Sequence, residues 1–427
     1  MKVHVENYGC SMNQSLGEYL EGSLISSGLD LVDDRESADV IVLNTCTVKG
    51  RTERRMLRKI REIERSWGDK QLVIAGCMPT VQGELLDQEA PAALKFGTGE
   101  YHLIPSAIRG HRPNLERPEV PFCERPLGRP GIGIVPVSDG CTGRCSFCIV
   151  RLIKGGLRSY PVEEILSEVR RLTAKGIHEV WLTAQDLAAY GGDGGEVKLP
   201  GLVAGILGLL DDRARIRLGM MNPRSLEPVF DDMVEIYRDQ RVFNFIHLPV
   251  QSGSNRVLRL MGRRYSVERW EDMVNELRDR LQSFTVATDL IVGYPLERDE
   301  DFAETLELVR DIKPDVVNLS RYEHRPGTEA SRLRELPGSE VKRRSREASE
   351  LIRQVTLEVN RDLIGWTGRC LVSEKGRKGG YVARNDSYRP VIIDGSHELG
   401  SWLEVEIDGA TENYLVGHMT GRDGNGG

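Results

Sequence analysis

The chain has no charge-free apolar run approaching the roughly 18 residues of a membrane helix, and Met1 leads straight into a strand-like segment with no targeting signal. A membrane span and a secreted location are therefore not expected; the expected compartment is the cytoplasm. An excess of basic charge is also missing. The formal net charge is −7 with 29% charged residues, which argues against indiscriminate nucleic-acid binding and leaves any RNA contact to local basic patches. Eight cysteines without secretory features point to metal or redox use in a reducing cytoplasm. At 427 residues and 39% hydrophobic content, the chain is long enough for two or three domains.

Cys141, Cys145 and Cys148 stand at C-x3-C-x2-C spacing directly after the apolar run 132–137. Thiolates this close wrap one compact soft-metal site, and iron–sulfur clusters are held by such thiolates. Three ligands on a four-iron cubane leave one iron open to a small molecule, which suits activation better than plain electron carriage. Zinc stays open as an alternative, although no fourth Cys or His follows Cys148 within twenty residues. Structural thiols are a second alternative.

The first hundred residues repeat a strand-then-helix pattern. Three apolar runs, 2–7, 40–43 and 72–75, each end in small or polar residues followed by Cys10, Cys46 and Cys77. In an open parallel α/β sheet the carboxyl ends of strands share one edge, so cysteines some thirty residues apart converge there. A second cluster with an open iron is expected, against the alternative of three buried structural thiols. Residues 51–61 form a strongly basic helical stretch with two open readings, a solvated back or a phosphate-contacting face. The Pro-rich segment near 117–130 is expected to be a linker, with Cys123 a bystander.

Strand candidates at 132–137, 179–183, 215–219, 243–248, 285–292 and 316–319 alternate with helical segments, which predicts a partial, open (β/α) barrel. Barrel sites lie at the carboxyl ends of strands; there stand Gln185, Asp186, Gln251, Ser252 and Asp289. A charged helix over 336–362 leads to five short strands, expected to form a small oligonucleotide-binding-like β-barrel. Its first half gathers Lys375, Arg377, Lys378, Arg384 and Arg389 with Tyr381 and Tyr388, a mixture of charge and aromatic faces suited to RNA. A structural cap is the alternative. Cys370 reads as core and residues 421–427 as disordered.

The three-cysteine loop with Phe147 before its last cysteine resembles the radical S-adenosylmethionine (SAM) signature. The contexts of Cys10 (Tyr-Gly-Cys-Ser-Met-Asn), Cys46 (Leu-Asn-Thr-Cys-Thr-Val) and Cys77 (Ala-Gly-Cys-Met-Pro) resemble the amino-terminal domain of radical-SAM methylthiotransferases, as do 247–254 and Arg325-Pro326-Gly327-Thr328 later in the chain. Thr47-Val48-Lys49 and Leu157-Arg158-Ser159-Tyr160-Pro161 look most like the archaeal and eukaryotic branch, which acts on N6-threonylcarbamoyladenosine at position 37 of tRNA. The resemblance implies an α/β chain in named parts: an N-terminal methylthiotransferase domain (1–115) with an open parallel sheet, a linker (116–130) and a partial (β/α)6 radical-SAM barrel (131–335). A helical connector (336–362), a TRAM RNA-binding β-barrel (363–420) and a tail (421–427) complete it.

It further implies two [4Fe-4S] clusters, one on Cys141, Cys145 and Cys148 that cleaves SAM and one on Cys10, Cys46 and Cys77 that presents a methylated sulfur. Phe147, Lys154, Gln185, Asp186, Gln251, Ser252 and Asp289 are the expected SAM-side contacts. The expected partners are the tRNA anticodon loop, a reducing donor such as a flavodoxin or ferredoxin, and a sulfur source. An isopentenylated adenosine or a ribosomal-protein aspartate would share every cysteine, and a non-catalytic two-cluster RNA-binding or electron-transfer protein is the alternative from another class. Recognition of the substrate carboxylate is left between arginines such as Arg224 and Arg321. Where the family has Gly-Phe-Pro-Gly-Glu the chain has Gly293-Tyr294-Pro295-Leu296-Glu297, which puts that loop's conformation in doubt.

Overall fold

A computed structural model describes residues 1–112 and 115–420; the expected tail lies outside them. Strands β1 (Lys2–Asn7), β2 (Asp30–Leu31), β3 (Val40–Thr45), β4 (Gln71–Gly76) and β5 (Leu94–Gly97) form a sheet in the order β2-β1-β3-β4-β5, parallel throughout. The central strand is apolar on both faces because both are covered. Ile41 and Leu43 pack on Met56, Ile60 and Ile63 of helix α2 (Gly50–Ser66), while Val40 and Val42 pack on Leu20 and Leu24 of helix α1 (Ser11–Ser26).

The central unit is an arc of six parallel strands, β6 (Ile132–Pro136), β7 (Glu179–Thr183), β8 (Arg215–Leu218), β9 (Phe245–His247), β10 (Thr285–Val292) and β11 (Val316–Arg321). They pair as two three-stranded sheets, joined across β8 and β9 by single bridges at Ile216–Val242 and Met220–His247. The arc is the expected open barrel. The C-terminal strands β12 (Thr367–Lys375), β13 (Tyr381–Arg384), β14 (Pro390–Ile393), β15 (Trp402–Ala410) and β16 (Leu415–Met419) close in the order β12-β13-β14-β16-β15, with Cys370 in their core.

The segment expected to be a plain linker is a fastened strap. Arg125, 3% exposed, ion-pairs with Glu18 of α1 and lies 3.5 Å from Glu168 of helix α3 (Val162–Ala174); its guanidinium stacks 4.2 Å over the Tyr19 ring. Cys123 keeps its bystander position, with Sγ donating to the Tyr19 carbonyl at 3.4 Å.

Two residues expected on the RNA face turn inward instead. Tyr388 adopts φ 63°, and its ring lies 4.8 Å from Phe243 and 5.2 Å from Phe245, sealing the amino-terminal mouth of the strand arc together with Leu371. Arg389, 7% exposed, ion-pairs with Asp315 and donates to Thr285 Oγ1 at 3.0 Å and Asn360 Oδ1 at 2.6 Å. An isolated cation would not tolerate that burial; three acceptors make it a rivet between units.

Leu296 stands at φ 67° and is 45% exposed, so the loop keeps the left-handed turn that glycine would make without strain. An L-residue there costs about 1–2 kcal/mol, partly offset by the unfolded-state freedom glycine adds. Leu296→Gly is therefore expected to stabilise the chain by about 0.5–1 kcal/mol. A urea-unfolding midpoint equal to or below that of the unaltered chain would contradict this.

Candidate functional site

Each amino-terminal cysteine ends a strand of the parallel sheet. Cys10 caps the start of α1, Cys46 follows β3, and Cys77 opens the short helix α4 (Cys77–Val81) after β4. Cys46 and Cys77 are buried and Cys10 exposed. Two glycines set the approach: a Cβ on Gly76 (φ 99°) would lie 2.4 Å from the Thr45 carbonyl oxygen, and one on Gly9 (φ 112°) would lie 2.8 Å from the Cys46 Cβ. Cys77 hydrogen-bonds Cys46, which draws the Cys46 thiol down to about 6 against its burial, with Arg325 nearby adding to the effect. The same bond, with burial behind it, pushes Cys77 upward.

An amide network that the cysteine pattern does not announce holds the strand ends. Asn13 Nδ2 donates to Asn44 Oδ1 at 3.0 Å and to the Thr45 carbonyl at 3.2 Å. Asn44 Nδ2 donates to Asn7 Oδ1 at 3.0 Å, and the Tyr101 hydroxyl donates to Asn44 Oδ1 at 2.8 Å. Asn13 and Asn44 stand inside the motifs around Cys10 and Cys46, which was the available signal.

In the second trio Gly140 (φ 74°) lets the chain pass beneath residue 156, whose carbonyl oxygen would be 1.9 Å from an added Cβ. The Gly143 N–H donates to Cys141 Sγ at 3.2 Å, and a Cβ on Gly143 would crowd the Cys141 and Cys145 sulfurs at 3.3 and 3.7 Å. Ser146 pins the loop, with its Oγ 2.7 Å from the Tyr294 hydroxyl and its N–H donating to the Met261 carbonyl at 3.0 Å. Burial pushes Cys141 up to about 11 and raises Cys148. Buried thiols of this kind give up their protons when a soft metal binds.

The two trios meet. Helix α5 (Val150–Lys154), which follows Cys148, packs through Ile153, with Ile149, on Cys77 and Val81. Lys154, 6% exposed at its side chain, ion-pairs with Asp139 at 3.1 Å, and its charge acts on both Cys10 and Cys77. Expected as a SAM-side contact, it faces the amino-terminal trio. Ser11 Oγ lies 3.0 Å from Thr183 Oγ1 at the end of β7, which ties α1 to the barrel mouth.

The expected SAM-side residues divide. Gln185 Oε1 is buried with no partner, an acceptor left unused by the protein. Asp289 stays one-third open at its side chain. Burial acts against its charge, yet the His247 ring at 3.0 Å, the Asn318 amide at 2.9 Å and the Lys49 ammonium hold it below the ordinary carboxylate range. Phe147 packs beside Val257, Met261 and Tyr294, with the Arg263 guanidinium 5.9 Å from its ring. Gln251 takes φ 75° and joins the ladder through its backbone.

Two residues serve the frame. Asp186 accepts from the Asn222 N–H at 3.0 Å and from Ser225 Oγ at 2.7 Å, which consumes its carboxylate. Ser252 is fully buried with its Oγ 3.3 Å from Thr305 Oγ1. A cavity of about 380 Å³ opens beside the loop, lined by Thr142, Gly143, Cys145, Asn222, Arg224 and Arg263 among others.

Arg325 opens the Arg325-Pro326-Gly327-Thr328 motif. It is 7% exposed and donates to Glu53 Oε2 at 2.6 Å, Glu323 Oε2 at 3.1 Å and the Val48 carbonyl at 3.2 Å. The Gly50 N–H donates to Glu323 at 2.6 Å. The motif thus fastens the Cys46 loop to the end of β11. On the C-terminal barrel Lys375, Arg377 and Lys378 are exposed and Tyr381 is half-buried, whereas Arg384 is drawn over the Tyr388 ring at 4.4 Å.

A three-cysteine loop at the carboxyl end of an open six-strand barrel defines the radical SAM class, and residues 135–309 match the model of the Radical SAM superfamily. Residues 2–97 match an uncharacterized protein family, UPF0004, and residues 362–420 a TRAM domain. The fold is shared with the radical S-adenosylmethionine methyltransferase TsrM from Kitasatospora setae, at TM-score 0.60 and 16% identity over 77% of this chain and 76% of that one. A probable threonylcarbamoyladenosine tRNA methylthiotransferase of Methanothermobacter thermautotrophicus is 40% identical over 97% of this chain and 99% of its own length. The human threonylcarbamoyladenosine tRNA methylthiotransferase is 30% identical over 97% of this chain and 73% of its own. The chain belongs to the threonylcarbamoyladenosine tRNA methylthiotransferase family.

Proposed function

We propose that the chain adds a methylthio group to C2 of N6-threonylcarbamoyladenosine at position 37 of tRNA. The observation that carries this reading is the packing of Cys77 against Ile149 and Ile153, the residues that follow Cys148, which brings a segment of one trio into contact with a segment of the other. Similarity over nearly the whole length to relatives named for that activity supports the substrate over isopentenyladenosine or a protein aspartate.

Cys141, Cys145 and Cys148 would hold the cluster that binds SAM, and Cys10, Cys46 and Cys77 would hold a second [4Fe-4S] cluster. The orphan acceptor of Gln185 and the close approach of Gly143 to two sulfurs fit such groups. When bound, the clusters and SAM supply hydrogen abstraction from a strong carbon–hydrogen bond and a sulfur to replace it, chemistry that acid–base groups do not offer.

The chain's own residues do the rest. Gln185 would offer its buried amide oxygen to the bound cofactor, and Asp289, oriented by His247 and Asn318, would offer a partly open carboxylate on β10. Asp186 holds the loop after β8. Lys154, held by Asp139, places a buried cation beside the amino-terminal trio, where a low local dielectric strengthens it. Lys375, Arg377, Lys378 and Tyr381 contact RNA, and the target base is splayed out of the anticodon loop to reach the cavity. The working units span 1–115, 131–335 and 363–420, in the cytoplasm, served by a flavodoxin- or ferredoxin-like donor and an external sulfur source.

Nucleoside mass spectrometry of tRNA from cells with and without the gene tests the reading. The methylthio-threonylcarbamoyl nucleoside is expected to vanish in the deletion while its unthiolated precursor accumulates; an unchanged nucleoside pool refutes the substrate.

A further inference from the structure

Helix α2 breaks the ordinary rule for a solvated helix. Within 50–66 it carries seven basic side chains (Arg51, Arg54, Arg55, Arg58, Lys59, Arg61, Arg65) and three acidic ones (Glu53, Glu62, Glu64), in a chain that is acidic as a whole. Met56, Ile60 and Ile63 face the sheet, so helical spacing puts Arg51, Arg55 and Arg58 on the opposite, outward face, where all three are exposed. Neighbours three or four residues apart on that face repel one another by a few tenths of a kcal/mol each. Among the described residues none of the three has an ion pair; Arg55 lies 5.0 Å over the Tyr8 ring. Glu62, the acid that spacing places among them, is taken by Arg35 at 2.9 Å. A local cost kept without internal compensation marks a surface shaped for something outside the chain.

We infer that this outward face of α2 binds the phosphate backbone of the tRNA, a contact separate from that of the C-terminal barrel; the inference rests on the tRNA reading above. Placement favours it, since α2 begins at Gly50, four residues after Cys46, and its first N–H is held by Glu323 at the rim of the barrel. The helix therefore runs outward from the cavity that takes the target base. Arg51 to Arg58 cover about 10 Å of helix, enough for two or three phosphates of one strand. Six of the seven cations are arginine, whose planar fork pairs bidentately with phosphate.

The test compares the cluster-loaded full chain with Arg51→Glu/Arg55→Glu/Arg58→Glu and with the milder Arg51→Gln/Arg55→Gln/Arg58→Gln. The probe is a tRNA carrying threonylcarbamoyladenosine, titrated across a series of salt concentrations. At about 0.7 per phosphate contact on a single strand, the slope of log affinity against log salt is expected to fall by about 2 in the glutamine variant. At the lowest salt the affinity is expected to drop about 30-fold or more, with SAM cleavage in the absence of RNA unchanged. The glutamate variant is expected to lose more. Affinity and slope equal to those of the unaltered chain overturn the inference. So does a defect confined to reduction by a flavodoxin, which would make the face a protein-docking surface. If the unaltered chain itself fails to bind the tRNA, the proposed function falls instead.

Discussion

Cys46→Ser protein, reconstituted without oxygen, is expected to hold about four irons per chain where the unaltered chain holds about eight, and to lose methylthiolation while still cleaving SAM under reduction. Cys46 is the buried member of its trio whose proton is held least tightly, because Cys77 donates to it and Arg325 lies nearby. A serine hydroxyl fits the space but is a hard, protonated ligand that iron at a thiolate site accepts poorly. The second trio keeps its own supports, the Gly143 N–H on Cys141 and the Ser146–Tyr294 bond, so its chemistry survives. Iron and sulfide analysis beside a 5′-deoxyadenosine assay reads both halves. A full iron complement would remove Cys46 from the ligand set, and a simultaneous loss of SAM cleavage would deny the two trios their separate roles.

Arg325→Met is expected to destabilise the chain by about 2–3 kcal/mol, below the cost of breaking a fully buried pair, since Glu53 and Glu323 keep some path to solvent. Methionine fills the aliphatic volume but removes the guanidinium shared by Glu53, Glu323 and the Val48 carbonyl, leaving the carboxylates only donors such as the Gly50 N–H and the Thr47 hydroxyl. Arg325→Lys is expected to recover less than half, because an ammonium lacks the fork that reaches three acceptors. Urea-unfolding midpoints of the apoprotein decide it: full rescue by lysine, or no loss with methionine, would show that the motif does not fasten the Cys46 loop.

The placement of the amino-terminal cysteines was legible because each thiol follows an apolar run, and strand ends in a parallel sheet share an edge. The barrel was legible for the same reason, as alternation of apolar runs with amphipathic helices. Arg125 was not legible. Charge in a Pro-rich stretch reads as solvent-facing, and its partners Glu18 and Glu168 come from helices far away in sequence. Arg389 deceived in the opposite sense, sitting among true surface cations while three acceptors from other units drew it inside. Asp186 and Ser252 were found at strand ends as expected, yet periodicity does not distinguish a carboxylate facing a cavity from one spent on the neighbouring loop.

Tyr388 gives the C-terminal barrel a second job. Its ring, with Leu371, stoppers the end of the strand arc opposite the cysteines, against Phe243, Phe245 and Trp181. Cutting the chain at 362 to separate RNA affinity from chemistry would pull that cork, leaving the aromatic lining of the central unit open to water. Aggregation or lost iron in such a fragment would then report a flooded core, and only surface substitutions that leave Tyr388 in place can tell how much of the enzyme's grip on RNA resides in its last sixty residues.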